Sequence, residues 1–140
     1  MDHRVGGTAR TAGRWLLAAF LAVAGVSHFT DPESFAAQVP DWMPWPDAVI
    51  AVSGMVELAL AAGLVLPHRH RAAVGWATAA FFVVIFPGNI SQFVTGSDAF
   101  GLDSDAARAA RLLLQPVLIV WALWCTRAWQ ERPQRRTAED

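Results

Sequence analysis

Apolar residues are concentrated in four segments, at about 12–29, 48–66, 72–90 and 106–126. Each segment is close to the roughly 20 residues that an α-helix needs to cross about 30 Å of hydrocarbon. The second and third segments lack the polar stripe that a helix of a soluble bundle presents to water. Open strands are excluded, because lipid offers their backbone no hydrogen bonds. The pattern therefore predicts an all-α fold, a membrane four-helix bundle, in preference to a soluble helical bundle.

The composition agrees with a membrane protein that forms one domain. Hydrophobic residues make up 54% of the chain and charged residues only 16%, whereas a soluble domain carries about 25% charged residues. We predict a single four-span domain over residues 1–130 and a disordered cytoplasmic tail over 131–140. The lipid bilayer is the expected partner, and nucleic acid is not, because the chain has no basic stripe.

The arginines predict how the bundle is oriented. All eleven basic residues are arginine, and nine of them flank the predicted helices on one side of an even-span topology. Cytoplasmic segments are enriched in basic residues. The connections on the other side carry aspartate and glutamate. We therefore predict a multi-pass protein of the cell membrane with both termini in the cytoplasm.

The first apolar segment allows a second interpretation. An arginine-rich start, a short apolar core and the small residues around Ala24 are typical of a secretory signal sequence. Cleavage there would leave three spans and an external amino terminus. We keep the four-span topology as the prediction and the cleaved form as its alternative.

The first outer connection predicts a short helix. Asp31 followed by Pro32 is a helix-start signal, and the apolar residues Phe35, Trp42 and Trp45 follow. We expect this helix and the proline-rich turn after it to lie on the outer interface as membrane anchors, or to cap the mouth of the bundle. The second outer connection, 91–105, is rich in glycine and serine and is predicted to be mobile.

Polar residues enter all four spans, and they do so in the outer half or near the midplane. The candidate ligand-binding or structural cluster comprises His28, Ser53, Glu57, Asn89, Arg111 and Gln115. These groups should face the bundle interior, because a charged group facing lipid costs about 2.5–3.5 kcal/mol. Glu57 should be protonated or paired, and Arg111 is the partner that we expect.

Several members of the cluster also have plainer explanations. His28 suits a helix-end hydrogen bond better than a metal, because no second histidine lies at its depth, so no metal site is predicted. Asn89 is equally suited to donate a hydrogen bond to a backbone carbonyl that loses its partner because Pro87 has no N–H. Gln115 suits a hydrogen bond between helices.

Several short motifs resemble those of the DoxX-like membrane proteins. They include Gly25-Val26-Ser27-His28-Phe29, Ser53-Gly54 with Glu57, Phe86-Pro87-Gly88-Asn89, and Arg111 with Gln115. The similarity covers roughly residues 16–121 and implies a four-helix membrane bundle, in agreement with the prediction above. It also implies a role linked to quinone redox chemistry. The single cysteine, Cys125, argues against thiol chemistry by this chain alone.

Three functional hypotheses follow. The leading one is a ligand-binding or accessory subunit of a quinone-linked redox system, with an outward-opening polar cluster and a quinone as its possible cofactor. A partner redox enzyme or a homo-oligomer would complete it. The second hypothesis is a proton-coupled transporter of small molecules, since an intramembrane acid is a common proton-coupling site. The third is a structural or chaperone-like membrane subunit. The catalytic residues, if any, are unknown at this point.

Overall fold

A computed structural model describes residues 2–66 and 68–130. Over these residues the chain forms five α-helices and no strand. The helices are α1 (Asp2–Thr30), α2 (Pro32–Ala36), α3 (Pro46–Val65), α4 (Arg71–Thr95) and α5 (Asp105–Thr126). All except α2 are long and apolar enough to cross a membrane. The predicted all-α four-helix bundle is confirmed, and its architecture is that of a multi-pass membrane protein.

The short helix predicted in the first connection is α2, and its N-cap position is Asp31. The Asp31 side chain makes no capping hydrogen bond. The predicted tail, 131–140, lies outside the described residues.

Helix α4 is longer than the apolar pattern predicted. It continues past Ile90 to Thr95, and Gly96 ends it in the left-handed conformation at φ 65°. The prediction that residues 91–95 belong to a loop was therefore wrong. The hydropathy pattern missed this turn because its polar side chains bond locally: Thr95 donates to the Ser91 carbonyl at 2.9 Å, and Gln92 is buried.

The bundle has two distinct ends, which we name by what they carry. The termini end holds the start of α1, the end of α5 and the 68–70 turn between α3 and α4. The α2 end holds the other two connections. Helix α3 packs mainly against α1, and α4 mainly against α5, whereas α3 and α4 contact each other much less.

The termini end is filled by tightly packed apolar side chains. Leu17, Leu21, Leu64 and Phe82 are no more than 1% exposed. Long polar side chains cap the helix ends around this core. Arg14 Nη1 donates to the Leu64 carbonyl at 2.7 Å, which satisfies a carbonyl in the last turn of α3 that has no partner within the helix. The helices are thus held in register from this end.

The connection from α4 to α5 is tied down by Arg108. Its guanidinium donates to Asp98 at 2.9 Å, to the Leu102 carbonyl at 3.1 Å and to Asp105 at 2.7 Å. These bonds link α5 to the segment that was predicted to be mobile. Arg108 therefore organises a loop at the α2 end and does not line the space between the helices.

Candidate functional site

A cavity of about 610 Å³ lies between α3 and α4 at the α2 end. Its walls are mostly apolar side chains of α3, α4 and the 38–45 segment that follows α2. The polar residues that line it are Gln38 and five of the six predicted cluster residues, His28, Ser53, Glu57, Asn89 and Arg111. The sixth, Gln115, lies behind Asn89 and bonds to it. The volume is within the range of about 300–1,000 Å³ that small-molecule sites occupy.

Glu57 and His28 are in contact inside the bundle. His28 Nδ1 lies 3.1 Å from Glu57 Oε2, and both side chains are more than nine-tenths buried. The same Nδ1 lies 2.9 Å from the Ala24 carbonyl. Because a carbonyl only accepts, a hydrogen bond to Ala24 requires the tautomer that carries its hydrogen on Nδ1. Glu57 Oε2 is therefore near a ring that can become charged, yet it receives no well-aligned hydrogen bond from the described residues.

Two glycines bring these side chains together. A Cβ on Gly54 would lie 2.7 Å from His28 Cβ, and one on Gly25 would lie 3.0 Å from the Gly54 carbonyl oxygen. Only glycine allows α1 and α3 to approach so closely. The first turns of α3, from Pro46 to Gly54, extend roughly 12 Å beyond this contact at 1.5 Å per residue. His28, although near the end of its own helix, is therefore level with the middle of α3.

Arg111 does not form the predicted ion pair with Glu57. Among the described residues the only ion-pair contact of Glu57 is His28. Arg111 instead donates from Nε to Asn89 Oδ1 at 3.2 Å and places its guanidinium carbon 5.0 Å from the centre of the Phe100 ring. Its two terminal nitrogens make no hydrogen bond within the described structure, and the side chain lines the cavity.

A hydrogen-bonded chain of amides connects Arg111 to the centre of the bundle. Asn89 Nδ2 donates to Gln115 Oε1 at 3.0 Å, and Gln115 Nε2 donates to the Phe82 carbonyl. Gln115 thus bridges α5 and α4, as predicted for an interhelical contact. The alternative in which Asn89 satisfies a carbonyl freed by Pro87 does not hold, since its side chain bonds Gln115 and Arg111 instead.

Ser53 contributes less than the other members. Its hydroxyl donates to the Ile50 carbonyl of its own helix at 2.9 Å. Only its oxygen lone pairs are left for a ligand.

A lid formed by residues 35–45 covers the cavity. The Phe35 ring stacks on His28 with centroids 3.6 Å apart and meets Phe100 edge-on at 4.8 Å. Gln38 Nε2 donates to Gln92 Oε1 at 3.2 Å, which joins the lid to α4. Phe35 is therefore a lid residue held over the polar cluster, as the capping interpretation of this segment required, more than a membrane anchor.

The two predicted tryptophan anchors belong to the lid. Trp42 and Trp45 are 74% and 79% exposed, and both line the cavity. Trp45 adopts φ 53°, and Phe100 adopts φ 56°. A bulky residue in this left-handed region is strained; Arg127, at the C-cap of α5, adopts the same conformation at φ 58°.

Sequence reasoning missed Phe100, Gln38 and Gln92. Phe100 and Gln38 lie in connections, where no periodic pattern indicates which side chains point inward. Gln92 falls in the turn of α4 that was assigned to a loop. The one signal available was an aromatic residue between Ala99 and Gly101 in an otherwise polar loop.

The described residues contain no group of three or more histidine, cysteine, aspartate or glutamate side chains that could hold a metal ion. Cys125 is buried near the other end of the bundle, beside Ala122. The arrangement can offer a ligand one carboxylate, one imidazole and one guanidinium in a mostly apolar space.

No curated protein and no solved structure matches the chain. A family model described as "Domain of unknown function (DUF8561)" matches residues 17–126. The matched range contains every polar residue of the cavity, from His28 to Arg111, and the lid. The match covers most of the chain, and the protein therefore belongs to the DUF8561 family.

Proposed function

We propose that the protein binds a small, lipid-soluble molecule through its polar head group, as a ligand-binding or accessory subunit of a quinone-linked redox system. The observation that carries this proposal is the Glu57 carboxylate. It is 6% exposed and lines the cavity, and its Oε2 lies 3.1 Å from His28 Nδ1. Its other oxygen, Oε1, makes no hydrogen bond within the described residues. A buried acceptor without a partner costs about 1–3 kcal/mol, and a bound head group would supply a bond to Oε1.

The polar groups suit a ring that carries oxygen on opposite edges. The terminal nitrogens of Arg111 are donors for a carbonyl oxygen, and Glu57 can accept from a hydroxyl or, when protonated, donate to a carbonyl. A quinone and its hydroquinone offer these two kinds of group. Reduction of the quinone consumes two electrons and two protons, and the Glu57–His28 pair is placed to pass protons. The electrons would come from a partner redox enzyme.

The resemblance to DoxX-like proteins supports the quinone as the ligand class. The motifs that carry it include His28, Glu57, Asn89 and Arg111, which line the cavity, and Gln115, which bonds Asn89. The resemblance thus falls on the site and is not confined to helix-packing positions.

Binding is better supported than transport. Between the polar cluster and the termini end, the bundle interior is occupied by Leu17, Leu21, Leu64 and Phe82, each no more than 1% exposed. A transported molecule would have to displace this packed layer. The Glu57–His28 contact is the feature that would favour proton-coupled transport, and flux into proteoliposomes would detect it.

Ligand binding in lipid nanodiscs tests the proposal. A soluble benzoquinone and its decyl-tailed analogue should bind the wild type, measured by quenching of tryptophan fluorescence. Glu57→Gln and Arg111→Gln should each weaken affinity by about tenfold, or about 1.4 kcal/mol. Arg69→Gln, which removes a charge from the 68–70 turn, is the matched control and should bind normally. Absence of binding to the wild type, or unchanged affinity in Glu57→Gln, would refute the proposal.

We further propose that the termini end faces the cytoplasm of a cell membrane. Arg10, Arg14, Arg69, Arg71 and Arg127 lie toward this end, which agrees with the enrichment of basic residues on the cytoplasmic side. Single cysteines at Asp103 and Thr137, in a Cys125→Ser background, would be treated with an impermeant thiol reagent on intact cells. Labelling should occur at 103 only, and labelling at 137 only would invert the topology.

A further inference from the structure

The cavity has an opening between α3 and α4, on the side of the bundle. Near the 68–70 turn the two helices are close, with a Cβ on Gly63 only 3.2 Å from Val74. Toward the α2 end both helices line the cavity and leave a gap. The edges of the gap are Val52 of α3 and Val84 of α4, which line the cavity and are nevertheless 59% and 73% exposed.

This opening lies at the depth of the hydrocarbon. Val52 is about 9 Å from the start of α3, and Val84 is about 16 Å from the end of α4, at 1.5 Å per residue. Both helices are candidate membrane spans. Side chains exposed at these positions therefore face acyl chains and not water.

The lid restricts the route from the cavity to water, and exposed lining residues at that end, Trp42 and Trp45, belong to the lid itself. Phe35 is stacked on His28, and the Gln38–Gln92 hydrogen bond holds the lid against α4. A Cβ on Gly88 would lie 3.0 Å from the Gln38 carbonyl oxygen, so the lid backbone rests directly on α4. The lateral gap has no such cover within the described residues.

We propose that the ligand is a single-tailed amphiphile that enters from the bilayer through the gap between α3 and α4 and leaves its apolar tail there. This inference rests on the proposed function, because it assumes a head group at Glu57 and Arg111. The lining changes from charged side chains at the inner end to valines at the mouth, and this polarity gradient matches a polar head followed by an alkyl or isoprenoid chain. A ligand without a tail would leave the mouth unfilled.

Larger side chains at the mouth test the tail route. Val52→Phe and Val84→Phe narrow the gap without adding a fluorophore. Val83→Phe is the matched control, because Val83 is 57% exposed on the same helix and does not line the cavity. Affinities for the tailless benzoquinone and its decyl-tailed analogue would be measured for each variant. All variants would be in nanodiscs of the same lipid, so that each ligand partitions into the lipid to the same extent in every sample. Circular dichroism and thermal unfolding would confirm that the variants fold.

The two ligands separate the outcomes. Val52→Phe and Val84→Phe should weaken the decyl compound by about tenfold or more and leave the tailless compound unchanged, while Val83→Phe should change neither. Unchanged binding of the decyl compound, or equal losses in Val83→Phe, would overturn the lateral route and leave the head-group site standing. Failure of both compounds to bind the wild type would instead refute the proposed function. If Val52→Phe and Val84→Phe changed the particle mass measured by light scattering but neither affinity, the gap would be an interface with a second copy of the chain, and the proposal would be overturned.

Discussion

The two ends of the bundle are made from the same four helices but differ in the hydrogen bonds that their buried polar side chains make. At the termini end, Arg14, Thr78 and Thr126 are buried, and each donates to a backbone carbonyl at 2.7–2.8 Å. At the α2 end, Glu57 is equally buried, but one carboxylate oxygen receives no hydrogen bond from the described residues. These three side chains at the first end have their partners in the chain, while Arg10 Nε at the same end has none within the described residues. The carboxylate at the second end differs because it lines a cavity and has capacity left for a ligand.

The two ends also differ in what their glycines are packed against. Gly75 of α4 lies so close to Thr126 of α5 that an added Cβ would overlap the threonine hydroxyl and come within 2.8 Å of its Cβ. At the α2 end, Gly54 is packed as closely on His28, at 2.7 Å, but the tightest contact of Gly88 is with the Gln38 carbonyl oxygen of the lid, at 3.0 Å. The termini end is therefore held by contacts between helices, whereas the α2 end includes a lid that can adapt.

Substitution of these glycines should give the largest difference between the ends. Gly75→Ala should lower the free energy of unfolding by about 1–3 kcal/mol, because overpacking between two helices cannot be relieved by moving one side chain. Gly88→Ala should cost less, because the lid can move by a few tenths of an ångström. Unfolding in mixed micelles would measure both.

Gly7 provides the control for helix propensity. A Cβ there meets nothing within 4 Å, so Gly7→Ala should be neutral or stabilising by up to about 1 kcal/mol. If Gly88→Ala proved more costly than Gly75→Ala, the assignment of the rigid end would be reversed.

The next effect concerns which partner Glu57 has. A double-mutant cycle of Glu57→Gln with His28→Asn should give a coupling energy of about 0.5–3 kcal/mol, because these side chains are in contact. The cycle of Glu57→Gln with Arg111→Gln should give a smaller coupling energy, since no ion pair joins these residues and only their charges interact. Free energies of unfolding for all single and double variants supply both values.

The two cycles share one variant, so each serves as the control for the other. Stronger coupling to Arg111 than to His28 would show that the ion pair forms in the membrane. It would also contradict the arrangement of the site described above.

The fold could be predicted from sequence because the bilayer imposes it. A helix in lipid must satisfy its own backbone, so length and hydropathy alone identify the spans. The errors occurred where this constraint ends. Residues 91–95 are helical although three of them are polar, because Gln92 is buried against the lid and Thr95 bonds within the helix.

The residues that line the site could be predicted from the sequence, but the contacts between them could not. Glu57 and Arg111 were predicted to lie inside the bundle because a charged side chain that faces lipid costs free energy. Which side chain meets Glu57 depends on the register between α1 and α3, and that register is decided by the contact of Gly25 with Gly54. Sequence reasoning treated His28 as a helix-end residue, since it could not foresee that α3 extends beyond α1. Phe100 was missed because loop residues follow no period.

The smallest expected effect is on the lid. Gln38→Ala removes the hydrogen bond to Gln92, which is partly exposed and worth about 0.5–1.5 kcal/mol. That bond joins the lid to α4 and contributes nothing to the core of the termini end, so its loss should increase local opening and leave global unfolding unchanged. Hydrogen exchange should report this at the amides of Val39 and Met43, which bond within the lid to the carbonyls of Ala36 and Pro40. A loss of about 1 kcal/mol corresponds to roughly fivefold faster exchange where opening is limiting.

Thr30→Ala is the matched control for this last prediction. Its hydroxyl bonds to Val26 within α1, next to the lid but without reaching α4, so lid exchange should be unaltered. If Gln38→Ala accelerated exchange equally in the lid and in the core around Leu17 and Leu64, the lid would be part of one cooperative unit with the bundle. The contrast between a rigid and an adaptable end would then fail. Faster exchange confined to residues 37–45 would instead show that the lid opens independently of the helices that form the scaffold.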